Sequence, residues 1–363
     1  MTDIFRNEKD IQNNILNFLI NNGISPIEDE DGWLYENLKQ EYSFCSTYSL
    51  SSKWYHDYII AKDFTDAIVR LNPELFYHFS DLLQENILDV IWYDFTEKYD
   101  QCHNNVEIYN LFFNTELSIL LNDKNGYPIS YPYRILDNNL LKECNRNYIR
   151  VIKEKTLHIE NTLNDVQRPD FAVYCNGLPF IVVEVKNPML TLGLRDAYKD
   201  YCQKAVYYKF LIGLCTDGKK ASLVSSTNNS SLDIWKNYGS NKKNDDENGL
   251  YDFIKEIICN SRNMMILFTY GIFNIKKNQL DCLSTARVQQ YFAMKKVLNM
   301  LIANKNANKN IKPFRYLIKH PPRSGKTITS RSIVHLITDL FSIDFDKIFI
   351  QLPDKIITEQ FLN

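Results

Sequence analysis

A short apolar segment, VVEVKNP, carries two opposite charges that could do chemistry. Glu184 and Lys186 are two residues apart, so in a β-strand both side chains point to the same face. Burying either charge costs several kcal/mol unless it is paired or bound to a metal ion. The pattern therefore indicates either an ordinary cross-strand ion pair at a sheet edge or a catalytic site.

A second carboxylate, that of Asp170, is expected to reach the same point through a β-hairpin. Asn176 and Gly177 separate two hydrophobic runs, and both residue types tolerate the positive φ of a type I′ turn. Strands on either side of this turn bring Asp170 close to Glu184. Two converging carboxylates repel each other, and a divalent cation with oxygen ligands relieves the repulsion. The spacing therefore predicts a Mg²⁺ site held by Asp170 and Glu184, with Lys186 orienting the attacking water.

The helix expected after the Glu184 strand offers two further polar residues. Gln203 and Tyr207 are four residues apart, hence on one helical face. We expect this face to pack across the end of the strand, which places both side chains in the cleft beside Glu184 and Lys186. The alternative is a pair of helix residues that face the core.

A second chemical signal is the segment HPPRSGKT, residues 320–327. A turn of this kind at a helix N-terminus cradles phosphates with backbone N–H groups, while a lysine reaches the β- and γ-phosphates and a threonine ligates Mg²⁺. His320 replaces the first glycine of the strict P-loop pattern. The alternative is a chance turn. The segment predicts ATP binding by Ser324, Gly325, Lys326 and Thr327.

Hydrophobic periodicity predicts the elements that position these residues. Helices are expected over Asn7–Ile20, over several aromatic-rich stretches between about 55 and 125, and over about 192–210. The aromatic residues of these stretches are expected in the core. Strands are expected from Tyr148 onwards, including a second hairpin turned at Asp217-Gly218.

The C-terminal part predicts a different arrangement. Residues 225–249 are polar and indicate a loop or linker, and the apolar run Met264–Phe273 is short enough for a buried strand. Ser284 is expected to cap a helix that ends in NKNANKN. A strand over Phe314–Ile318, the loop, a helix and the strand KIFIQL then give the β-loop-α-β order of a nucleotide-binding unit. The predicted segments are 1–147 (helical N-terminal part), 148–225 (core of the first site), 226–282 (linker and connecting elements) and 283–363 (nucleotide-binding unit).

Composition places the chain among globular proteins. Of 363 residues, 45% are hydrophobic and 24% are charged, and the net charge of −2 does not by itself call for a nucleic-acid partner. The start, MTDIFRNEKD, lacks the apolar core of a signal peptide, and no apolar run reaches the roughly 18 residues needed to span a bilayer. The eight cysteines contain no CxxC unit, which disfavours zinc clusters and favours a reducing, cytoplasmic compartment.

The motifs together resemble one family. Pro169-Asp170 followed by Glu-Val-Lys matches the signature of PD-(D/E)xK metal-dependent nucleases. The whole run RPDFAVYCNGLPFIVVEVKNP resembles the nuclease domain of the motor/restriction (R) subunits of type I restriction–modification enzymes. In that family a Gln-x-x-x-Tyr pair, here Gln203 and Tyr207, supports the nuclease centre or its DNA contacts. The segment ARVQQYFAMKKVL is similar to the helix before that family's ATPase, which implies an adenine-sensing role for Arg287 and Gln290.

The resemblance implies a fold and a function. The fold is a restriction-endonuclease-like mixed α/β sheet flanked by helices, followed by a partial RecA-like P-loop lobe. The function is Mg²⁺-dependent endonucleolytic cleavage of double-stranded DNA, with ATP as a second cofactor, modification and specificity subunits as partners, and no membrane. The alternative is a non-catalytic DNA- or subunit-binding remnant of a truncated R subunit, which would show no Asp170-dependent metal affinity.

Three positions qualify this implication. Arg323 stands where the family usually has glycine, and no Asp-Glu-x-His motif follows, so complete ATP hydrolysis and translocation are not expected of this chain. An upstream acidic residue often completes the nuclease fold. Glu8 and Glu116 are candidates, but both are expected to be solvated and neither is assigned.

Overall fold

The computed structural model has an α/β fold with a mixed β-sheet. The structure describes residues 7–24, 26–28, 56–78, 84–122, 126–142, 145–154, 157–158, 166–187, 193–204, 209–225, 233–235, 249–277, 280–307, 317–318 and 325–341. The strands are β1 Pro26–Glu28, β2 Ser118–Asn122, β3 Pro128–Pro132, β4 Ile149–Lys153, β5 Leu157–His158, β6 Val166–Gln167, β7 Phe171–Cys175, β8 Leu178–Val185, β9 Ile212–Thr216, β10 Ala221–Val224, β11 Ile272–Lys277 and β12 Leu280–Thr285. The α-helices are α1 Glu8–Asn21, α2 Ala61–Leu71, α3 Pro73–His78, α4 Gln84–Asp100, α5 Asn105–Phe113, α6 Gly193–Lys204, α7 Gly249–Phe253, α8 Ser261–Tyr270, α9 Val288–Ala307 and α10 Lys326–Phe341, and a π-helix, Ile254–Ile258, follows α7.

Within the described ranges, the largest sheet has six strands in the order β1-β4-β7-β8-β9-β10. Strands β1 and β4 are parallel, as are β8 and β9, and the other neighbours are antiparallel. All residues of β7, β8, β9 and β10 are buried, so this part of the sheet is covered on both faces. The predicted mixed sheet flanked by helices is confirmed.

The turn between β7 and β8 is the one that the sequence predicts. Asn176 and Gly177 have φ angles of 52° and 76°, in the left-handed region that a type I′ turn requires. The turn is held inside the protein, because the Ile60 N–H donates to the Gly177 carbonyl at 2.9 Å and the Asn176 side-chain amide donates to the Ile135 carbonyl at 2.9 Å. A Cβ atom at Gly177 would collide with the carbonyl oxygen of Ile60 and lie 2.7 Å from the nitrogen of Phe64.

Two helices contact the strands of the β7–β8 hairpin. Helix α1 begins where the sequence predicts, with a capping box formed by Asn7 and Asp10, and it contacts β1 and β8. Helix α6 packs on β8 and β9. It lies within the predicted range of about 192–210, but residues 205–208 are outside the described residues. The second predicted hairpin is also confirmed, with Gly218 at φ 86° between β9 and β10.

The aromatic N-terminal helices form part of the same core as the sheet. Helices α2 to α5 confirm the helices expected between about 55 and 125, and the strand β2 follows them. Rings of Phe64, Phe95, Tyr99 and Phe112 are buried and stack in a row, and the Phe112 ring lies 6.0 Å from that of Phe180 on β8. The prediction that these aromatic residues are core residues is confirmed.

Two predictions for the C-terminal part are wrong. The run Met264–Phe273 was expected as a strand, but residues 261–270 form α8, because Asn260 caps a helix there by accepting a hydrogen bond from the N–H of Asn263. Ser284 was expected as a helix cap, but it lies in β12, paired with Phe273. Helix α9 instead begins at Val288 and ends, as predicted, within NKNANKN.

Only part of the predicted nucleotide-binding unit can be compared with the structure. Helix α10 begins at Lys326, where a helix was expected. Leu317 and Ile318 are not in a strand, and the rest of Phe314–Ile318 and the segment KIFIQL lie outside the described residues. Trp235, in the segment predicted as a linker, is buried and its ring lies 4.9 Å from that of Phe253 on α7. Over the described part of the chain, no helix is long and apolar enough to cross a membrane.

Candidate active site

The β7–β8 hairpin brings the two predicted carboxylates together. Phe171 pairs with Val183, so Asp170 stands opposite Glu184 where the hairpin opens. The N–H of Lys186 donates to the Thr216 carbonyl at 2.9 Å, which keeps the residues after β8 aligned with β9. Because side chains alternate along a strand, Glu184 and Lys186 share one face.

Asp170 is held by one hydrogen bond to each of its carboxylate oxygens. Its Oδ2 accepts from the Val185 N–H at 2.6 Å, and its Oδ1 accepts from the Gln12 side-chain amide at 2.6 Å. Burial raises the pKa of Asp170 to about 7, and the nearby Glu184 carboxylate adds to this rise. The Val185 N–H and the ammonium groups of Lys186 and Lys204 favour the ionised carboxylate, but they do not cancel the effect of burial.

Glu184 is buried and paired with a lysine from α6. The side chain of Glu184 is 2% exposed, and the Lys204 Nζ lies 3.2 Å from its Oε1 and 3.1 Å from its Oε2. A carboxylate this deeply buried requires a cation, because desolvation costs more than a single neutral hydrogen bond returns. Lys204 supplies that positive charge.

Lys186 lies between two acidic side chains. Its Nζ is 2.8 Å from Oδ2 of Asp200 on α6 and 3.7 Å from Oε1 of Glu8 on α1. Burial tends to lower the pKa of Lys186, but the carboxylates of Asp200, Glu8 and Asp170 outweigh burial and raise it. Lys186 is therefore an ammonium ion at neutral pH.

Glu8 is one of the two acidic candidates that the sequence leaves unassigned. It lies in the first turn of α1, and the contacts of α1 with β8 bring it to the end of the strand that carries Glu184. No local pattern reports a contact between residues so far apart in sequence. Gln12 lies one helical turn after Glu8 on the same face of α1, and its side-chain amide donates to Asp170. The i, i+4 spacing of these two polar residues is the one sequence feature that could have indicated that this face of α1 lies at the site. Glu116, the other candidate, is exposed.

Helix α6 faces the strand with residues other than the expected ones. The pair Asp200 and Lys204, also at i and i+4, contacts Lys186 and Glu184. Gln203 is exposed, so the expectation that it lies in the cleft is not met. The physical reason is helical phase, because at about 100° per residue Gln203 lies roughly 80° from the middle of the face that Asp200 and Lys204 share, which turns it toward solvent. Tyr207 lies outside the described residues.

The charges at the site fit a divalent cation. The carboxylates of Glu8, Asp170, Glu184 and Asp200 lie beside the ammonium groups of Lys186 and Lys204, which leaves a formal charge of −2 when all six groups are ionised. Across the described residues, no group of three or more His, Cys, Asp or Glu side chains is arranged to hold a metal ion. Two carboxylates with the remaining positions left to water or phosphate suit Mg²⁺, which keeps several waters and binds through one or two carboxylates.

The second predicted site is described only in part. Gln290 is buried, its Oε1 accepts from the Arg287 N–H at 2.7 Å, and its Nε2 donates to the Gly325 carbonyl at 3.0 Å. Gly325 has φ 79°, and a Cβ atom there would collide with Nε2 of Gln290. Lys326 is exposed at the first position of α10. Arg287, Gln290 and Gly325 are thus brought together beside Lys326 and Thr327, whereas Ser324 lies outside the described residues.

Comparison with known proteins places the first site within a family match. A family model described as type I restriction enzyme R protein N terminus matches residues 17–231. The match covers more than half of the chain and contains Asp170, Glu184, Lys186 and α6, whereas Glu8 and helices α9 and α10 lie outside it. The search of curated proteins found no match.

Proposed function

The chain belongs to the family of type I restriction enzyme R proteins, and we propose that it cleaves double-stranded DNA endonucleolytically with the help of Mg²⁺ as part of an ATP-dependent type I restriction–modification complex. The observation that carries the proposal is the carboxylate pair of Asp170, half-buried, and Glu184, buried, beside the ammonium group of Lys186. A pair of this kind costs folding energy, which is typical of a functional site.

Asp170 and Glu184 would hold Mg²⁺, with Glu8 nearby on α1. A bound Mg²⁺ polarises a phosphoryl oxygen and lowers the pKa of a coordinated water. The peptide N–H of Val185 and the amide of Gln12 fix the two oxygens of the Asp170 carboxylate, so it meets the ion without rearranging.

Lys186 acts as a hydrogen-bond donor in this proposal. Because its pKa is raised, it keeps its proton at neutral pH and does not serve as a general base. Its ammonium group orients the attacking water and stabilises the negative charge that develops on the phosphate. Asp200 holds the Lys186 side chain at 2.8 Å, which positions it for that role.

ATP and protein partners belong to the same proposal. Lys326 and Thr327 would bind ATP phosphates together with Ser324 and Gly325, and Gln290 and Arg287 would sense adenine in a partial RecA-like lobe. Support comes from the hydrogen bond of Gln290 to Gly325, which joins helix α9 to the start of α10. Modification and specificity subunits would supply sequence recognition. Six described cysteines carry free thiols, which agrees with a cytoplasmic location.

The test is cleavage of plasmid DNA by the full chain, assayed with Mg²⁺ alone and after assembly with its modification and specificity subunits. Asp170→Ala, Glu184→Ala and Lys186→Ala should each abolish cutting. Asp196→Ala is the matched control, because Asp196 also lies on α6 but pairs with Lys199 near the surface. This control should cut like the wild type.

Two results would separate the proposal from its alternative. Cutting at the wild-type rate by Glu184→Ala in the assembled complex would remove Glu184 from the catalytic site. Assembly and DNA binding without any cutting by the wild type, at any Mg²⁺ concentration, would leave the non-catalytic binding role as the better account.

A further inference from the structure

Lys204 occupies the place on Glu184 that a metal ion would take. Its Nζ lies almost equally far from both oxygens of the carboxylate, at 3.2 and 3.1 Å. A cation shared by both oxygens of a carboxylate sits between them, and the ammonium group is in that position. The Lys204 side chain is 29% exposed, so part of it already contacts solvent, whereas Glu184 is buried.

The position of Lys204 follows from the residue spacing of the strand and of the helix. Strand residues Glu184 and Lys186 are two apart, and helix residues Asp200 and Lys204 are four apart, so each acid of one element meets the base of the other. The ion pair of Asp200 with Lys186 fixes the position of α6 along the strand, and in that position Lys204 lies next to Glu184. The contact is built by the fold and is not the chance pairing of a surface lysine.

We propose that Lys204 is a tethered cation that competes with the metal ion for Glu184. In the metal-free protein it neutralises the buried carboxylate, and metal binding requires the ammonium group to move off Glu184 toward solvent. The competition weakens the metal site and sets the cation concentration at which it fills. The inference rests on the proposed function, because it assumes that Glu184 is a metal ligand.

The first experiment measures Mn²⁺ binding to the full chain by titration calorimetry at pH 8. Lys204→Met removes the charge and keeps the length of the side chain, and it should bind Mn²⁺ tighter by about tenfold, because a unit charge beside the site no longer opposes the ion. Lys204→Arg keeps the charge and should bind about as weakly as the wild type. Lys199→Met removes a charge from the exposed side of α6 and should leave the affinity unchanged.

The second experiment uses the wild-type protein, so it does not depend on the folding of a variant. The rate of acetylation at Lys204 is followed by mass spectrometry with and without Mn²⁺. Displacement from Glu184 frees the amine, so modification at Lys204 should become several-fold faster with Mn²⁺. Lys199 in the same sample should not change.

The outcomes distinguish this inference from the proposed function. If wild type and Lys204→Met bind Mn²⁺ equally and Lys204 reactivity does not change, Glu184 still holds a metal but Lys204 does not compete, and the inference is overturned alone. If neither protein binds Mn²⁺, the metal site itself is refuted and both proposals fail.

Discussion

Asp170→Asn tests whether the site is strained in the absence of metal. The substitution removes the negative charge of Asp170, which burial and repulsion by Glu184 destabilise, and it keeps the size of the side chain. The pKa of Asp170 is raised to about 7 in the folded protein, from an ordinary value of 3.8. Because the folded protein holds this proton to a higher pH than the unfolded chain, stability is lost as the pH rises from about 4 to about 7 and then stays low.

The size of the stability change follows from the difference between the folded and unfolded pKa values of Asp170. At about 1.4 kcal/mol per pKa unit, the penalty reaches about 4 kcal/mol above pH 7, and about 2–3 kcal/mol of it develops between pH 5 and pH 8. An asparagine accepts only one of the two hydrogen bonds that Val185 and Gln12 donate to Asp170, which costs about 1–2 kcal/mol. Asp170→Asn should therefore be about 2–3 kcal/mol more stable than the wild type at pH 8 and nearly equal to it at pH 5.

Urea unfolding of both proteins in EDTA, at pH 5 and pH 8, measures this difference. Other groups titrate in the same range, and comparing the two proteins at each pH cancels their contribution. Asp196→Asn is the matched control for the loss of one negative charge. A stability difference between Asp170→Asn and the wild type that is the same at both pH values would refute the claim that Asp170 is strained.

The other variants probe the turn, the second site and the exposed face of α6. Gly177→Ala should lower the free energy of unfolding by about 3 kcal/mol or more, because the strain of a positive φ and a collision with backbone atoms add. Gly23→Ala, the control, has φ 84° and open space around it and should cost only about 1 kcal/mol, so equal losses in urea unfolding would contradict this. Lys326→Ala should abolish ATP binding measured by calorimetry, and unchanged affinity would mean that the loop does not cradle phosphate. Gln203→Ala should cleave DNA at the wild-type rate, because Gln203 is exposed and faces away from Glu184 and Lys186, and a loss of about 10-fold or more would contradict this placement. Tyr207→Phe should lower DNA cleavage by about 10- to 100-fold, and full activity would remove Tyr207 from the site.

The sequence predicts well where local chemistry decides the structure. Asn176-Gly177 between two hydrophobic runs is a strong signal for a type I′ hairpin, and the turn sets the register that places Asp170 opposite Glu184. Helix α1 follows in the same way from its cap and its apolar stripe.

Contacts between distant elements could not be predicted. As polar residues of one helix, Asp200, Gln203 and Lys204 could each face the strand. The rotation of α6 about its axis decides which of them do, and that rotation is set by the burial of residues such as Ala197 and Tyr201 against the sheet. Glu8 reaches Lys186 only through the packing of α1 on β8. The run Met264–Phe273 shows the other limit, since an apolar segment of that length is equally compatible with a buried strand and a buried helix.

The most direct test of the central claim is a crystal of the full chain soaked in Mn²⁺, examined by anomalous diffraction. We expect one anomalous peak at coordination distance, about 2.1 Å for an ion of the Mg²⁺ type, from carboxylate oxygens of both Asp170 and Glu184, and no such peak in Glu184→Ala crystals treated in the same way. Wild-type crystals that show no peak at millimolar Mn²⁺, with Lys204 still bound to Glu184, would contradict a metal-dependent nuclease site.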